Sequence, residues 1–302
     1  MKILIENYSN YLSTEPQYLA QCINQTTSKA ELWNTNQLSA FDAIDLASPD
    51  IVLCHHSCKV LTDVIKYLKD SDIELILNIS GIKQNSLSIV EKIINKNNIK
   101  CKLLITNDHK EINPLKSENF KILNLLPSAD IFIPKQQVPD WNIEAGLISL
   151  SNGLDKKQID QYTEKYSTIH RIMIANTNET LTNLFDYSIN IINGCSVYNK
   201  YKNIILHLST KLAFSQLLFD IYLRANNVIL ETDDRNLTSQ ILNSLFENED
   251  KNISTTEKIK NQIKKKHTCI NRSQKILKTL DCNNDAEILE KIINDTHIYN
   301  SL

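Results

Sequence analysis

The chain has 302 residues, which suits two domains of ordinary size, and 42% of them are hydrophobic, enough to bury a core and to exclude a disordered chain. The formal net charge of −2 gives no overall attraction to nucleic acid or to a membrane surface. No apolar run is long enough to span a bilayer, and the first residues lack the pattern of a signal peptide. The seven cysteines are an odd number in a long chain, so we expect a cytoplasmic protein without disulfides.

Short β-branched runs alternate with amphipathic stretches in the first half of the sequence, which is typical of βαβ units and a parallel sheet. The predicted strands are 2–7, 29–34, 50–55, 74–79, 100–106, 120–125 and 130–134, and the predicted helices are 15–26, 58–69 and 84–96. Three of the six prolines fall within 127–139, where they interrupt regular structure. We place the end of the first domain in the segment that follows, 145–162.

The same pattern restarts in the second half. The predicted strands are 170–176, 189–194, 203–208 and 227–232, and the predicted helices are 211–225 and 236–246. Two successive blocks of this kind predict an α/β fold of two tandem Rossmann-like domains, 1–150 and 151–250, followed by a helical C-terminal tail, 251–302.

The tail is strongly basic at its start. Residues 251–278 carry nine Lys or Arg and a single acid, Glu257. We expect a helix over 254–280 with Ile259 and Ile263 buried. Such a helix either packs its apolar face on the neighbouring domain or binds phosphate groups, so nucleic acid is a possible partner.

Two segments resemble the GT-B glycosyltransferases. ISLSNGLDKKQI (148–159) resembles the xxNGxD segment that joins the two domains of many members, and its Asn-Gly pair is a turn signal. FDIYLRANNVILETDD (219–234) is similar to the family's unit of acidic residue, helix, small residue and strand, with Asp220, Ala225 and Val228 in the corresponding places. Among the branches of this superfamily, the phage DNA glucosyltransferases are loosely similar in size.

The resemblance implies a GT-B-like fold and a nucleotide-sugar donor, which would be a substrate, so no cofactor is expected. It also implies that Asp220 binds the ribose of that donor. The sequence departs from the family's pattern at the element that holds the diphosphate, where Thr177, Asn178 and Glu179 stand, and at the first acid of its E-x7-E pair, where Leu212 stands. These departures favour an alternative, a non-catalytic protein that uses the same scaffold to bind a ligand or partner.

Ligands of open parallel sheets bind beyond the carboxyl ends of the strands, which directs attention to the residues that follow each predicted strand. After the third strand, His55 and His56 are candidates for binding the acceptor or for acting as general base, because neutral imidazole accepts protons near pH 7. Local hydrogen bonding at a strand end is the other interpretation. A zinc site is not expected, because the five consecutive residues Cys54 to Cys58 would seldom supply four tetrahedral ligands. After the fifth strand, Asp108 is a candidate to activate a hydroxyl, or else a turn or N-cap aspartate.

In the second domain, Asn176 and Thr177 follow the first strand and are candidates to hold a phosphate or a base. Ser209 and Lys211 follow the third strand and begin a helix, a position suited to a diphosphate. Ordinary helix capping is the other interpretation of both pairs.

The sequence therefore supports three classes of function. The first is transfer of a sugar from a nucleotide-sugar donor to an unidentified acceptor hydroxyl. The second is ligand or partner binding without catalysis, and the third is a nucleic-acid-modifying or nucleic-acid-binding role that uses the basic tail.

Overall fold

The computed structural model describes residues 1–8, 13–69, 71–80, 94–97, 99–107, 120–132, 143–150, 154–174, 184–189, 197–207, 215–232, 236, 239 and 256–294. The chain forms two compact units. The first consists of Met1–Ser9, Glu15–Leu126 and Cys269–Thr296, and the second of Asn10–Thr14, Pro127–Thr268 and His297–Leu302. Each unit contains one parallel sheet, so the predicted α/β fold with two Rossmann-like domains is confirmed.

The first unit is built around a six-stranded sheet with the order β2-β1-β3-β4-β5-β6. Its elements in chain order are β1 (Lys2–Glu6), α1 (Glu15–Asn24), β2 (Lys29–Trp33), α2 (Ala40–Ala47), β3 (Ile51–His55), α3 (Leu61–Leu68), β4 (Glu74–Asn78), β5 (Cys101–Thr106) and β6 (Lys121–Asn124). Every one of these strands agrees with a predicted strand to within two residues at each end. Apolar side chains such as Leu4, Val52 and Leu104 lie on one face of the sheet. They form a core with Val64 and Leu68 of α3.

Helix α2 is an addition to the predicted elements. Its eight residues are short for a helix recognised by periodicity, but its start carries a capping signal. Ser39 has extended backbone and its hydroxyl accepts a hydrogen bond from the backbone N–H of Asp42. The helix buries Ala40, Ala43 and Ile44, so tertiary packing holds a segment whose pattern is too brief to stand out.

The second unit has a five-stranded sheet with the order β11-β10-β7-β8-β9. Its elements are β7 (Ile143–Leu150), α4 (Lys156–Lys165), β8 (Ile169–Ile174), β9 (Tyr187–Ile189), a 3₁₀ turn (Tyr198–Lys200), β10 (Tyr201–His207), α5 (Gln216–Arg224) and β11 (Val228–Glu231). Gly146 of β7 makes close packing possible, because a Cβ at this position would lie 3.1 Å from the ring of Tyr201.

The position of β7 differs from the sequence-based boundary. Residues 1–150 are predicted to form the first domain, whereas Ile143–Leu150 is the central strand of the second sheet and pairs with β8 and β10. The Asn-Gly pair at 152–153, which lies outside the described residues, therefore comes after the first strand of the second unit. Strand pairing is a long-range property, and the turn signal alone does not say to which sheet the preceding strand belongs.

The predicted strand 130–134 is wrong over its described part. Ile131 and Phe132 form a turn, in which the backbone N–H of Phe132 donates to Oδ1 of Asp130 at 2.9 Å. An aspartate that bonds to the backbone two residues further on favours a turn over a strand. The predicted helix 236–246 lies almost entirely outside the described residues, and so does most of 84–96.

The C-terminal tail is divided between the two units. It forms α6 (Thr256–Lys266), α7 (Cys269–Thr279) and α8 (Asn283–Asn294). Ile259 and Ile263 are buried, as predicted, and α6 packs on α5 of the second unit. The single helix predicted over 254–280 is interrupted at residues 267–268, and α7 packs on α1 and α8 in the first unit. Contact of this basic segment with nucleic acid stays a prediction. Among the described helices, none combines the length and apolar character needed to cross a bilayer.

Candidate functional site

The carboxyl edge of the first sheet collects the polar ends of its strands. Strand β1 lies beside β3, while β2, which comes between them in sequence, pairs with the other side of β1. The order of strands therefore reverses direction between β1 and β3. In open parallel sheets, the crevice at such a switch point is where ligands bind. Glu6 ends β1 and His55 ends β3, so both flank this position.

The imidazole of His55 is held in one orientation. Its Nδ1 lies 2.6 Å from Oγ of Ser57, and its Nε2 lies 3.2 Å from the backbone oxygen of Ser80. Because a carbonyl oxygen can only accept, Nε2 carries the proton and Nδ1 accepts from the Ser57 hydroxyl. The tyrosine ring of Tyr8 stacks on His55 with 5.2 Å between centroids, and the ring of His56 lies 4.2 Å away on the same measure.

Both imidazoles of this pair are poorly solvated. Burial lowers the pKa of His55 to about 4, and repulsion from His56 acts in the same direction. Burial also lowers the pKa of His56, against the opposing effect of a hydrogen bond to the backbone of Ser80. Both rings are therefore neutral at pH 7. The structure brings the two predicted histidines together at the strand end where the sequence places them.

A second polar group lies on the same edge, around Glu15 at the start of α1. The amide of Asn78 donates to the Tyr8 hydroxyl and to Glu15 Oε2, both at 3.2 Å. Glu15 Oε1 in turn accepts from Nε of Arg272 at 2.6 Å. Next to this group, the hydroxyl of Ser80 is buried and has no hydrogen-bond partner in the described part of the chain. A buried donor without a partner leaves a hydrogen bond available to a ligand.

Glu6 is the residue of this edge that the strand-end analysis omits. Its Oε2 accepts from the backbone N–H of His55 at 2.8 Å, and its carboxylate lies within 4.8 Å of the thiols of Cys54 and Cys58. Burial raises the pKa of Glu6, against the hydrogen bond from His55. The neighbouring Cys58 thiol and burial raise the pKa of Cys54 far above its usual range. The sequence contains a signal that could have identified Glu6 as a candidate, since a carboxylate is unusual at the end of an apolar strand.

Asp220 lies in the second unit. Helix α5 begins at Gln216, and Ser215 before it has extended backbone, so Asp220 lies little more than one turn from the start of the helix. The carboxylate is fully buried. Oδ1 accepts from Nη1 of Arg224 and from the backbone N–H of Asp130, both at 2.9 Å, and Oδ2 accepts from Nε2 of Gln216 at 3.2 Å. Burial raises the pKa of Asp220 to about 7, although Arg224 acts to lower it.

Five predicted site residues lie outside the described residues: Asp108, Asn176, Thr177, Ser209 and Lys211. Their roles stay predictions. The described candidates divide into two groups, with His55 and His56 at the sheet edge of the first unit and Asp220 in a hydrogen-bonded network of the second.

No family model and no curated protein matches the sequence. Solved structures do match. The UDP-GlcNAc 2-epimerase from Neisseria meningitidis bound to UDP-GlcNAc is 12% identical, with 94% of this chain and 100% of that chain covered and a TM-score of 0.52. The UDP-GlcNAc 2-epimerase from Methanocaldococcus jannaschii is 9% identical over 93% and 99% of the two chains, also with a TM-score of 0.52. The glycosyltransferase SnogD from Streptomyces nogalater is 11% identical over 92% and 98%, with a TM-score of 0.49. Together with the two parallel sheets, the similarity to the two epimerases shows that the chain has a GT-B-like fold.

Proposed function

We propose that the protein binds a nucleotide sugar and transfers its sugar to an acceptor hydroxyl. The observation that carries this proposal is the pair His55 and His56 at the switch point of the first sheet, next to the exposed Ser57 hydroxyl and the buried Ser80 hydroxyl. A ligand at this edge would find groups that can accept and donate protons. The proteins of similar fold with a TM-score of 0.52 are described as acting on UDP-GlcNAc, which supports a nucleotide sugar as the substrate class.

In the proposed reaction, the acceptor oxygen forms a bond to the anomeric carbon of the sugar while the bond from that carbon to the diphosphate breaks. The proton of the acceptor hydroxyl passes to an imidazole of the first unit. His55 has hydrogen bonds at both ring nitrogens, so we assign this proton to His56, with Asp108 as the other candidate. Ser209, Lys211 and the start of the helix that follows them would stabilise the leaving diphosphate, so the reaction would need no metal.

Two measurements test the proposal. Calorimetry with UDP, UDP-glucose and UDP-GlcNAc measures donor binding, and release of UDP with a panel of acceptors measures transfer. We expect His56→Ala to leave nucleotide affinity unchanged and to lower the rate of transfer about 10²–10⁴-fold, the usual effect of losing a general base. Lys59→Ala, an exposed substitution in the same loop, is the matched control and should retain full activity.

Three outcomes would contradict the proposal. The chain could bind none of these nucleotides, His56→Ala could transfer sugar at the wild-type rate, or the sugar could change its configuration while still attached to the nucleotide. The last result would identify an isomerase rather than a transferase.

A protein that binds its ligand without catalysis is the second candidate. The observation that favours it is the internal use of Asp220, whose two carboxylate oxygens accept hydrogen bonds from Gln216, Arg224 and the backbone of Asp130. A carboxylate held in this way must give up a partner before it can bind a ribose. Nucleotide binding without release of UDP in any acceptor panel would support this candidate.

A further inference from the structure

The carboxylate of Glu6 is buried, and none of the described residues places a positive charge beside it. The residue is 5% exposed, and in the described part of the chain its polar contacts are the backbone N–H of His55 and the thiol of Cys58. No lysine or arginine within the described ranges forms an ion pair with it. Buried charges in proteins are normally paired with an opposite charge or bound to a metal, because desolvation of an isolated carboxylate is costly.

Two thiols lie beside this carboxylate. A carboxylate oxygen of Glu6 and the Sγ atoms of Cys54 and Cys58 all lie within 4.8 Å of one another. In a tetrahedral zinc site with bonds of about 2.3 Å to sulfur, two sulfur ligands are roughly 3.8 Å apart. The side chains therefore need to move by about 1 Å or less to bind one ion.

The fold explains how residues distant in sequence meet here. Strands β1 and β3 are parallel neighbours, and their register pairs Ile5 with Leu53. Glu6 and Cys54, the next residue on each strand, therefore lie side by side. Alternation places Cys54 on the same face as Val52, among the core side chains. A tight turn follows, in which the backbone N–H of Cys58 donates to the carbonyl of His55 at 2.9 Å and returns the second thiol to the same face.

We propose that Glu6, Cys54 and Cys58 form a zinc site, with a water as the fourth ligand. Two thiolates and one carboxylate are a donor set that Zn²⁺ accepts in tetrahedral geometry, and the sulfur ligands favour it over Mg²⁺ or Ca²⁺. On binding, both thiols lose their protons to solvent, so the two thiolates balance the charge of the ion, and the carboxylate gains a direct bond to the cation in place of its desolvated state. The sequence-based expectation of no metal considered only five consecutive residues, whereas the third protein ligand, Glu6, lies 54 − 6 = 48 positions before Cys54.

Such an ion would fix the loop that carries His55 and His56 at both of its ends. This role is independent of any nucleotide, so the site can be present whether or not the proposed transfer is correct. A metal that binds only the folded chain also raises its stability, by an amount that grows with the logarithm of the free metal concentration once the site is nearly full.

The test is metal binding by the full chain. Protein prepared with Zn²⁺ and passed through a chelating column should retain about one ion per chain by elemental analysis. With Co²⁺ instead, the site should give the near-ultraviolet charge-transfer absorption of a thiolate-bound ion. Glu6→Gln keeps the acceptor for the His55 N–H and should fold, and Cys58→Ser is a second variant. Both should lower Zn²⁺ affinity roughly 100-fold or more.

Cys101→Ser is the matched control, because Cys101 is a buried thiol of the same core outside the three-residue cluster. It should bind Zn²⁺ as the wild type does. A wild-type chain that retains no ion, or a Cys58→Ser chain that binds Zn²⁺ and absorbs with Co²⁺ as the wild type does, would overturn the proposal. Neither readout involves a nucleotide, so these results are separate from the test of transfer.

Discussion

For Asp220, the sequence predicts the position on a helix correctly but does not predict the hydrogen-bond partners of the carboxylate. The resemblance of residues 219–234 to a donor-binding segment predicts a carboxylate near the start of a helix, and α5 provides one. Its carboxylate is bound by Gln216 and Arg224 of the same helix and by the backbone N–H of Asp130. Thr14 extends this network, since it donates to Asp130 and accepts from Gln216. Contact of Asp220 with a ribose stays a prediction, because its partners in this structure are the protein's own groups.

Loss of the Asp220 carboxylate should destabilise the second unit. Asp220→Ala removes the buried carboxylate that binds the guanidinium of Arg224, whose side chain is 8% exposed, and breaking a buried pair from one side typically costs about 3–5 kcal/mol. Urea unfolding measures the change. The double variant Asp220→Ala/Arg224→Ala should lose less stability than the sum of the single variants, because the two side chains are in direct contact and each single variant removes the same ion pair. Strict additivity would show that the pair is not coupled.

The pH dependence of stability follows from the same group. Its pKa rises from an ordinary 3.8 to about 7 on folding, so between these values the folded chain binds this proton more tightly than the unfolded chain. The contribution of Asp220 to the free energy of unfolding is therefore greatest below pH 4, decreases as the pH rises toward 7, and is constant above it. Urea unfolding at several pH values, with Asp220→Asn as reference, should show this decrease in the wild type relative to the variant. An equal slope in both chains would contradict it.

The elements differ in how clearly sequence periodicity reveals them. Strands of the first sheet are recognisable because buried parallel strands are short, nearly continuous apolar runs. Helix α2 is not predicted because its eight residues are too few to show a clear period, and the turn at Asp130 is not predicted because it depends on one local hydrogen bond from Phe132. The sheet to which β7 belongs is not evident from local sequence, because β7 pairs with residues up to 58 positions away, as in the pairing of Tyr201 with Ile143.

At the scale of elements, Arg272 anchors helix α7 to the first unit. Its guanidinium donates to Glu15 at 2.6 Å and to the backbone oxygens of Leu125 and Leu126 at 3.0 and 2.9 Å. A lysine has no planar fork of donors and cannot satisfy three acceptors in this arrangement. The contacts join the beginning of α1, the segment after β6 and a helix near the C-terminus.

Replacement of this arginine should detach α7 from its neighbours. We expect Arg272→Ala to lower the free energy of unfolding by about 3–5 kcal/mol, because the change breaks a largely buried ion pair with Glu15 from one side. Arg272→Lys should recover only part of this loss. Lys275→Ala, on the exposed side of the same helix, is the control and should change stability by about 0.5 kcal/mol or less. Equal stability of the Arg272 and Lys275 variants would show that the anchor is not needed.

For the whole molecule, the sequence predicts the type of fold better than it predicts which residues belong to each domain. The alternation of strand and helix patterns predicts two parallel sheets, and this is confirmed. It does not predict that α7 and α8 belong to the first unit, because both are ordinary amphipathic segments whose apolar faces could pack on either sheet. Similarly, His55 and His56 follow from a general rule about strand ends, whereas Glu6 acquires its importance only when two distant strands pair.

The return of the C-terminal helices has a consequence for how the molecule is made. A ribosome delivers Leu126, the last residue of the first unit's main segment, 272 − 126 = 146 positions before Arg272. At synthesis rates of about 5–20 residues per second, the growing first unit waits roughly 7–30 s before Glu15 can bind Arg272, and during that time the surface later covered by α7 is open to water. The second unit emerges during that interval and has its own buried sheet. Translation therefore supplies nearly all of the second unit before it completes the first, and chaperones would meet the nascent chain with the N-terminal unit unfinished.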